Sequence, residues 1–343
     1  MTLKEFRSVS AGEKNGPEIF ADLYFAEVIE FWFETHRLTL AKPTVYNYKK
    51  YIPLVKQYFT GALVQKITQE DVLEFLEYLS RLNLKKTSQR NYIKILRMSL
   101  KFAHQENCIY HNPCDGVKFP NIKKTDITPF QEEEVIALLS QDAPQWVKDG
   151  IVIGFYTGLR PCEIYALRWV DIVFEAAGGY IMVQHSISRA SSDVELKSAK
   201  TDQGVRRVDF GRILGNYLKQ MSRTSSAYVF PSPTSEQKYR IPWNIAKFVK
   251  AMCRGSGVME RDFRAIRHTH ASVLLKYNVH PKIVQERLGH TDVKITLGVY
   301  SHIVPTIQAV AVDVLDTSIF AGINKEKKRL PNKAVAFFEK IHL

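Results

Sequence analysis

The stretch from residue 261 to residue 302 concentrates arginine and histidine side chains with few carboxylates to neutralise them. Cationic groups repel one another unless an anion lies among them, so a fold that brings these residues together must also admit an anion. Planar guanidinium groups match phosphate oxygens bidentately, which makes a phosphate the expected ligand. The stretch also holds Tyr300, and a tyrosine beside a bound phosphodiester indicates nucleophilic attack at phosphorus.

Five short motifs, spread along the chain, resemble those of one enzyme family. They are Thr157-Gly158-Leu159-Arg160-Pro161-Cys162-Glu163, Lys200-Thr201-Asp202-Gln203-Gly204-Val205-Arg206-Arg207-Val208, Arg267-His268-Thr269-His270-Ala271, Leu288-Gly289-His290 and Tyr300-Ser301-His302. In this order they resemble the motifs of the tyrosine recombinases, the phage-integrase family, and the resemblance covers residues 20 to 320. It implies a site-specific DNA recombinase that integrates or excises a mobile element.

The resemblance implies that Tyr300 carries the chemistry. Tyr300 would attack the scissile phosphate and hold the DNA end as a 3′-phosphotyrosine. A free phenol has a pKa near 10, so a cationic pocket is needed to favour the phenolate and to stabilise the phosphorane. Arg160 and Arg267 would bind the non-bridging oxygens, and His290 would hydrogen-bond the phosphate.

The general acid that protonates the departing 5′ oxygen would come from the hairpin lysine segment. Lys200 is favoured over Lys197, because a Lys-Thr pair followed by glycine and arginine matches the family pattern. A lysine among arginines is expected to have a lowered pKa, which makes it a better proton donor near neutrality.

One position departs from the family pattern. The residue three before the second arginine is usually histidine, sometimes lysine, whereas this chain has Arg264. An arginine can bind phosphate but cannot act as a general base at neutral pH. The proton of Tyr300 would then pass to water or to a neighbouring group. Glu163 is expected to support the pocket without transferring a proton.

The sequence predicts a reaction without cofactor or metal. His268 and His270 have no cysteine or carboxylate companions at metal-ligand spacing, so we interpret them as structural. The sequence has neither the Asp/Glu cluster of a two-metal nuclease nor a Walker-type phosphate loop. Covalent storage of the phosphodiester would make both a metal ion and ATP unnecessary.

A surplus of positive charge extends along the chain. Lysine and arginine number 48 against 35 aspartates and glutamates, a net charge of +13. Such a charge indicates either a polyanion partner or surface charge that only keeps the protein soluble. The motifs favour the first, with double-stranded DNA carrying attachment sites as the partner. The resemblance further implies a homotetramer on DNA, with DNA-bending or directionality accessory proteins as additional partners.

The cysteines and the hydropathy indicate the compartment. Cys108, Cys114, Cys162 and Cys253 form no CxxC pair, which is typical of free thiols in a reducing environment. The sequence shows no signal-peptide pattern and no apolar run long enough to span a bilayer. We predict a cytoplasmic, nucleoid-associated protein with no membrane partner.

The predicted fold class is mainly α with a small antiparallel β-sheet, in two domains. A chain of 343 residues can form two domains of ordinary size. A helical core DNA-binding domain precedes a mixed α/β catalytic domain, and the leader is too short for the arm-binding domain that many integrases carry. The predicted bounds are 1–18 for the leader, 19–120 for the first domain, 121–127 for the linker, 128–320 for the catalytic domain and 321–343 for a basic and apolar tail.

Helical periodicity predicts four helices in the first domain, over 19–37, 43–59, 68–79 and 87–105. Basic residues follow the outer face of the fourth. A solvated face is the alternative for any single lysine, but the series favours a surface that follows phosphates. The predicted DNA-binding residues are Lys86, Arg90, Lys94 and Arg97.

The second domain is predicted to open with Thr128 as N-cap, Pro129 in the first turn and Gln131 as the capping-box partner. Helical patterns over 129–140 and 146–157 follow. Strands at 180–185 and within 194–208 are predicted to form one small sheet. Two helices divided by a Ser/Pro-rich loop at 230–235 are predicted between 212 and 260.

Two other functions share some of these features. A type IB topoisomerase would use the same tyrosine chemistry without a second DNA site, but the helical first domain and the Leu288-Gly289-His290 motif argue against it. A recombinase relative that binds DNA without cutting it is the other alternative, and Arg264 is the residue that makes it worth testing.

Overall fold

The structure is a computed structural model that describes residues 22–119, 127–190, 193–198, 205–221, 224–234 and 238–290. These residues form two compact units. One holds residues 22–119 together with 188–190 and 193–195, and the other holds the remaining described residues from 127 to 290. The predicted leader and C-terminal tail lie outside the described residues, as does the predicted linker up to residue 126.

The first unit is built on four α-helices, as the periodicity predicts. They are α1 (Phe25–His36), α2 (Lys42–Tyr58), α3 (Gln69–Arg81) and α4 (Lys86–Gln105). Thr68 caps α3, since its hydroxyl accepts a hydrogen bond from the backbone N–H of Asp71 and its own N–H donates to the Asp71 carboxylate. Aromatic rings of Phe25, Phe59 and Phe75 meet in the core, with neighbouring centroids 5.1 and 5.5 Å apart.

The second unit combines helices with strands. The helices are α5 (Glu132–Leu139), α6 (Gln145–Thr157), α7 (Pro161–Ile164), α8 (Arg212–Gln220), α9 (Ile245–Gly255), α10 (Phe263–Lys276) and α11 (Pro281–Leu288). The strands are β1 (Ile172–Glu175), β2 (Gly178–Val183), β3 (His185–Ala190), β4 (Asp193–Ser198) and β5 (Arg206–Gly211). Two of the strands, β3 and β4, extend into the residues of the first unit. The mainly helical fold class with antiparallel sheet is therefore confirmed.

Two details of the predicted second unit are corrected. The strands form two sheets, a three-stranded one in the order β1-β2-β5 and a two-stranded one of β3 and β4. Strand β1 is an addition to the predicted elements. Helix α5 begins at Glu132 and its N-cap is Gln131, not Thr128. The reason is local: the carboxylate of Glu134 accepts the backbone N–H of Gln131 at 2.8 Å, which places the capping box three residues later.

Helices α6 and α10 form the frame that positions the site. Thr269, buried on α10, donates from Oγ1 to the carbonyl of Ala265 and accepts the backbone N–H of Phe130 at 2.7 Å. Buried side chains on one face of α10, including Phe263 and Ile266, fill the space against α6. Arg267 lies beside this packed face, half-buried, and Arg264 is exposed one turn before it. Among the described helices none is long and apolar enough to cross a membrane.

Candidate active site

The turn after α6 presents Arg160. Gly158 ends α6 in the left-handed conformation, with φ of 68°, and its N–H returns to the carbonyl of Gly154 at 2.8 Å. A Cβ at this position would lie 2.5 Å from a ring carbon of His270 and 2.7 Å from a methyl of Leu288, so the close approach also requires glycine. Arg160 follows as the N-cap of α7, with 47% of its side chain exposed.

The carboxylate of Glu163 is buried between two arginines. Its Oε1 accepts from Nη1 of Arg160 at 3.0 Å and from Nη1 of Arg206 at 3.2 Å. Its Oε2 accepts from the backbone N–H of Arg160 at 2.9 Å and from Nη2 of Arg206 at 2.8 Å. Burial alone raises the pKa of Glu163, but the hydrogen bonds and charge of Arg206, followed by those of Arg160, lower it to about 2. Glu163 therefore remains an anion, which agrees with a supporting role and excludes proton donation at neutral pH.

Arg206 is the residue of this network that the motifs do not single out. It lies on β5, 9% exposed, and donates from Nε to the carbonyl of Arg287 at 2.9 Å. Alternation along β5 could have identified it, because Val208 and Phe210 are buried and Arg206 shares their face while Arg207 points outward. A charged residue at an inward position of a strand indicates a buried partner.

Arg267, on α10, joins the ends of two helices. It donates from Nη1 to the carbonyl of Gly158 at 2.7 Å and from Nη2 to the carbonyl of Leu288 at 2.6 Å. These carbonyls belong to the ends of α6 and α11, where helix geometry leaves acceptors without intrahelical donors. The guanidinium of Arg267 thus lies between the turn after α6 and the end of α11.

His290 follows α11 and lies beside three arginines. Its backbone is held by Gln285, whose carbonyl accepts the His290 N–H at 3.1 Å and whose side chain donates to the His290 carbonyl at 2.9 Å. Burial, followed by the charges of Arg267, Arg160, the His268 ring and Arg206, lowers the pKa of His290 to about 4. A neutral imidazole has one N–H, so at neutral pH His290 can donate one ring hydrogen bond.

Arg264 makes an ion pair at the start of its own helix. Its Nη2 lies 2.6 Å from Oδ2 of Asp262, its Nε lies 3.1 and 3.0 Å from the two carboxylate oxygens, and 70% of its side chain is exposed. Asp262 is also the N-cap of α10 and accepts the backbone N–H of Arg264 at 2.9 Å. Burial, followed by the charges of Arg267 and then Arg264, lowers the pKa of the neighbouring His268.

His270 has the contacts of a structural residue. Its Nδ1–H donates to the carbonyl of Phe155 at 2.7 Å, and its Nε2 accepts from Nε of Arg287 at 3.2 Å. Burial, followed by the charge of Arg287, lowers the pKa of His270 to about 4 despite the hydrogen bond to Phe155. Within the described ranges no three His, Cys, Asp or Glu side chains are grouped so that they could hold a metal ion.

Lys200 and Tyr300 lie outside the described residues, and their predicted roles stay predictions. Lys197, the alternative to Lys200, lies on β4. The structure therefore brings together Arg160, Arg267 and His290, adds Arg206, and pairs Arg264 with Asp262.

The predicted DNA-binding residues of the first unit lie on α4. Lys86, Arg90, Lys94 and Arg97 are all exposed. The ammonium of Lys94 lies 5.3 Å from the Tyr48 ring centroid, and the guanidinium of Arg97 lies 4.8 Å from that of Phe119. A groove of about 770 Å³ runs along this face and is lined by Arg90, Lys94, Arg97 and Lys101 together with polar and apolar neighbours, Asp115 and Phe119 among them. Stacking on aromatic rings holds the two cations without neutralising them, so they remain available to a polyanion.

Two family profiles match this chain. The phage integrase family profile matches residues 126–306, and the phage integrase SAM-like domain profile matches residues 24–121. The chain is similar to the ICEBs1 integrase of Bacillus subtilis, with 27% identity over 80% of this chain and 78% of that protein. It is also similar to a XerC-like tyrosine recombinase of Caldanaerobacter subterraneus, with 28% identity over 89% of this chain and 86% of the relative.

Two solved structures of similar fold are DNA complexes. The Tn1549 transposon integrase with a circular intermediate DNA superposes with a TM-score of 0.70 at 19% identity, over 81% of this chain and 95% of that one. The XerH site-specific recombinase bound to its palindromic difH substrate superposes with a TM-score of 0.63 at 15% identity, over 84% and 95%. At these identities the likeness establishes the fold.

Proposed function

The chain belongs to the phage integrase family, and on this premise we propose that it is a tyrosine recombinase that cuts and rejoins double-stranded DNA at specific sites, integrating or excising a mobile element. The observation that carries this proposal is the meeting of Arg160, Arg267 and His290 at the ends of α6 and α11. Two guanidinium groups and a neutral imidazole can bind the oxygens of a phosphodiester and stabilise the charge that develops at phosphorus.

In the proposed reaction, Oη of Tyr300 forms a bond to phosphorus and the bond from phosphorus to the 5′ oxygen breaks. Lys200 gives its proton to that oxygen, and the tyrosine proton passes to water or a neighbouring base. Arg160 uses Nη1 for Glu163, while its Nε and Nη2 have no hydrogen-bond partner among the described residues and can bind a phosphate oxygen. Attack by a 5′ hydroxyl on the phosphotyrosine reverses the step and reseals the strand.

The two units have separate tasks in this proposal. The exposed cations of α4 bind the DNA backbone, and the second unit performs strand transfer. We further propose that the protein acts as a homotetramer on paired DNA sites in the cytoplasm, at the nucleoid, with DNA-bending or directionality factors as accessory partners. The proposed reaction uses neither cofactor nor metal.

Covalent trapping on a nicked duplex carrying the element's own end sequence tests the proposal. Wild-type protein, Tyr300→Phe and the control Tyr277→Phe would be run on a denaturing gel with EDTA present. Tyr277 is 68% exposed, so its loss of a hydroxyl leaves the core untouched. We expect a shifted band for wild type and the control and none for Tyr300→Phe. If wild type binds this duplex and yields no shifted band, the protein is a DNA-binding relative that does not cut.

A further inference from the structure

Strand β5 begins with two adjacent arginines, Arg206 and Arg207, whose side chains lie in different environments. Arg206 is buried and bonds Glu163 and the carbonyl of Arg287. Arg207 is half exposed, pairs with Asp209 at 2.7 Å and stacks on Tyr180 at 3.9 Å. The same charge thus faces the site at one position and the outer face of the sheet at the next.

Burying a guanidinium is costly unless its donors are used, and Arg206 uses all three nitrogens. Nη1 and Nη2 take the two oxygens of Glu163, and Nε takes the carbonyl of Arg287. The close fit extends to Gly289, where a Cβ would lie 3.0 Å from Nη1 of Arg206. One side chain therefore contacts α7 and the turn that leads from α11 to His290.

We propose that Arg206 is a positioning residue for strand cleavage: it fixes Glu163, and through Glu163 the phosphate-binding arginine Arg160, while it holds the Gly289 turn that presents His290. This inference rests on the proposed function and adds to it a residue that never touches the DNA. The carboxylate of Glu163 has four acceptor positions in use, two for Arg206 and two for Arg160. Without Arg206, half of these bonds are lost and two acceptor positions of the Glu163 carboxylate become open. The other nitrogens of Arg160, Nε and Nη2, can then turn to Glu163 and away from the phosphate.

A lysine cannot replace Arg206 fully. An ammonium group can neutralise Glu163, but it is a point charge and cannot span both carboxylate oxygens while also reaching the Arg287 carbonyl. The graded series arginine, lysine, glutamine at position 206 therefore separates the charge of this residue from its geometry.

The test compares Arg206→Gln and Arg206→Lys with the matched control Arg207→Gln in the full chain. DNA affinity, thermal unfolding and the single-turnover rate of covalent adduct formation at saturating nicked duplex are measured for each. Because a small misplacement of the phosphate-binding groups can cost about 100-fold in rate, we expect Arg206→Gln to slow cleavage on the order of 100-fold with DNA affinity within about threefold of wild type. Arg206→Lys should fall between, and Arg207→Gln should remain near wild type.

A structural role alone would lower DNA affinity and the unfolding temperature together with the rate, and would not separate the rate from binding. Should Arg206→Gln fail to fold, Arg206→Lys decides: a folded lysine variant that cleaves at the wild-type rate overturns the proposal. A folded Arg206→Gln protein with the wild-type rate overturns it as well. Absence of any adduct from wild type, by contrast, overturns the proposed function itself and the role of Arg206 with it.

Discussion

Nη1 of Arg267 donates to the carbonyl oxygen of Gly158 across 2.7 Å, although 109 residues separate the two in sequence. The bond ties the centre of α10 to the turn that precedes Arg160. The conformation of this turn should therefore matter to both arginines of the proposed site, and substitutions near Gly158 should affect stability and chemistry together.

Gly158→Ala should be more damaging than alanine at an unhindered glycine. A left-handed alanine costs about 1–2 kcal/mol, and forcing the methyl against His270 and Leu288 adds about 1–3 kcal/mol of overpacking. Gly257 is the matched control, because its φ is 70° and no atom of the described residues lies within 4 Å of the position that its Cβ would take. Urea unfolding of both variants measures the difference. Equal losses at the two positions would contradict the packing argument.

The stability that depends on His270 should decline on acidification. In the unfolded chain a histidine has a pKa near 6.5, whereas burial lowers the pKa of folded His270 to about 4. Between these values the unfolded state binds more protons, so this contribution is fully present above about pH 6.5 and is lost as the pH falls toward 4. From pH 7 to pH 5 the loss is about 2 kcal/mol. We expect the difference in unfolding free energy between wild type and His270→Gln to change by this amount, and a constant difference would contradict the burial of a neutral ring.

Asp262→Asn should strengthen DNA binding by a few-fold. The carboxylate now competes with phosphate for Arg264, and its pKa is lowered despite partial burial because Arg264 hydrogen-bonds it. Asparagine keeps the N-cap of α10, so stability should change little. Binding to the nicked duplex, with Arg264→Gln and the double variant alongside, measures the effect. If the gain persists in the double variant, it does not pass through Arg264.

Neutralising the basic face of α4 should weaken DNA binding without regard to sequence. Each of Lys86→Gln, Arg90→Gln and Arg97→Gln should reduce the salt dependence of binding by about one released counterion, provided that the cation contacts phosphate. Arg81→Gln is the control. Arg81 lies on α3, where it pairs with Glu77 of the same helix, and it is not among the predicted DNA contacts. An unchanged salt slope in all three variants would assign this face to solvation.

Much of the fold is predictable because its signals are local. The four helices of the first unit follow from periodicity, and the Thr68 cap follows from the spacing of Thr68 and Asp71. The predicted start of helix α5 is wrong, because Gln131 is the N-cap and not the capping-box partner of Thr128, and this depends on where the Glu134 carboxylate can reach. The division of the strands into two sheets depends on pairing between β2 and β5, which short-range patterns do not encode.

The motifs name candidate members of the site but not the contacts between them. Arg160, Arg267 and His290 lie near one another in the structure, and their catalytic roles stay predictions. The carbonyls that bind Arg267 come from the ends of α6 and α11 and carry no side-chain signature. Arg206 escapes the motif reading because basic residues near a hairpin are usually solvated, and only alternation with Val208 and Phe210 indicates its burial. The pairing of Arg264 with Asp262 has a signal in the sequence, since the two residues are only two positions apart.

The two hydrogen bonds between Gln285 and His290 affect how the end of α11 unfolds locally. Since Gln285 binds the N–H and the carbonyl of His290, and Arg267 binds the carbonyl of Leu288, the end of α11 cannot fray one residue at a time. Amide hydrogen exchange at residues 285–290 should then occur in a single cooperative opening. His290 would then be either in place in the site or displaced together with the whole segment. Partly assembled sites, which could cut DNA without resealing it, would be rare.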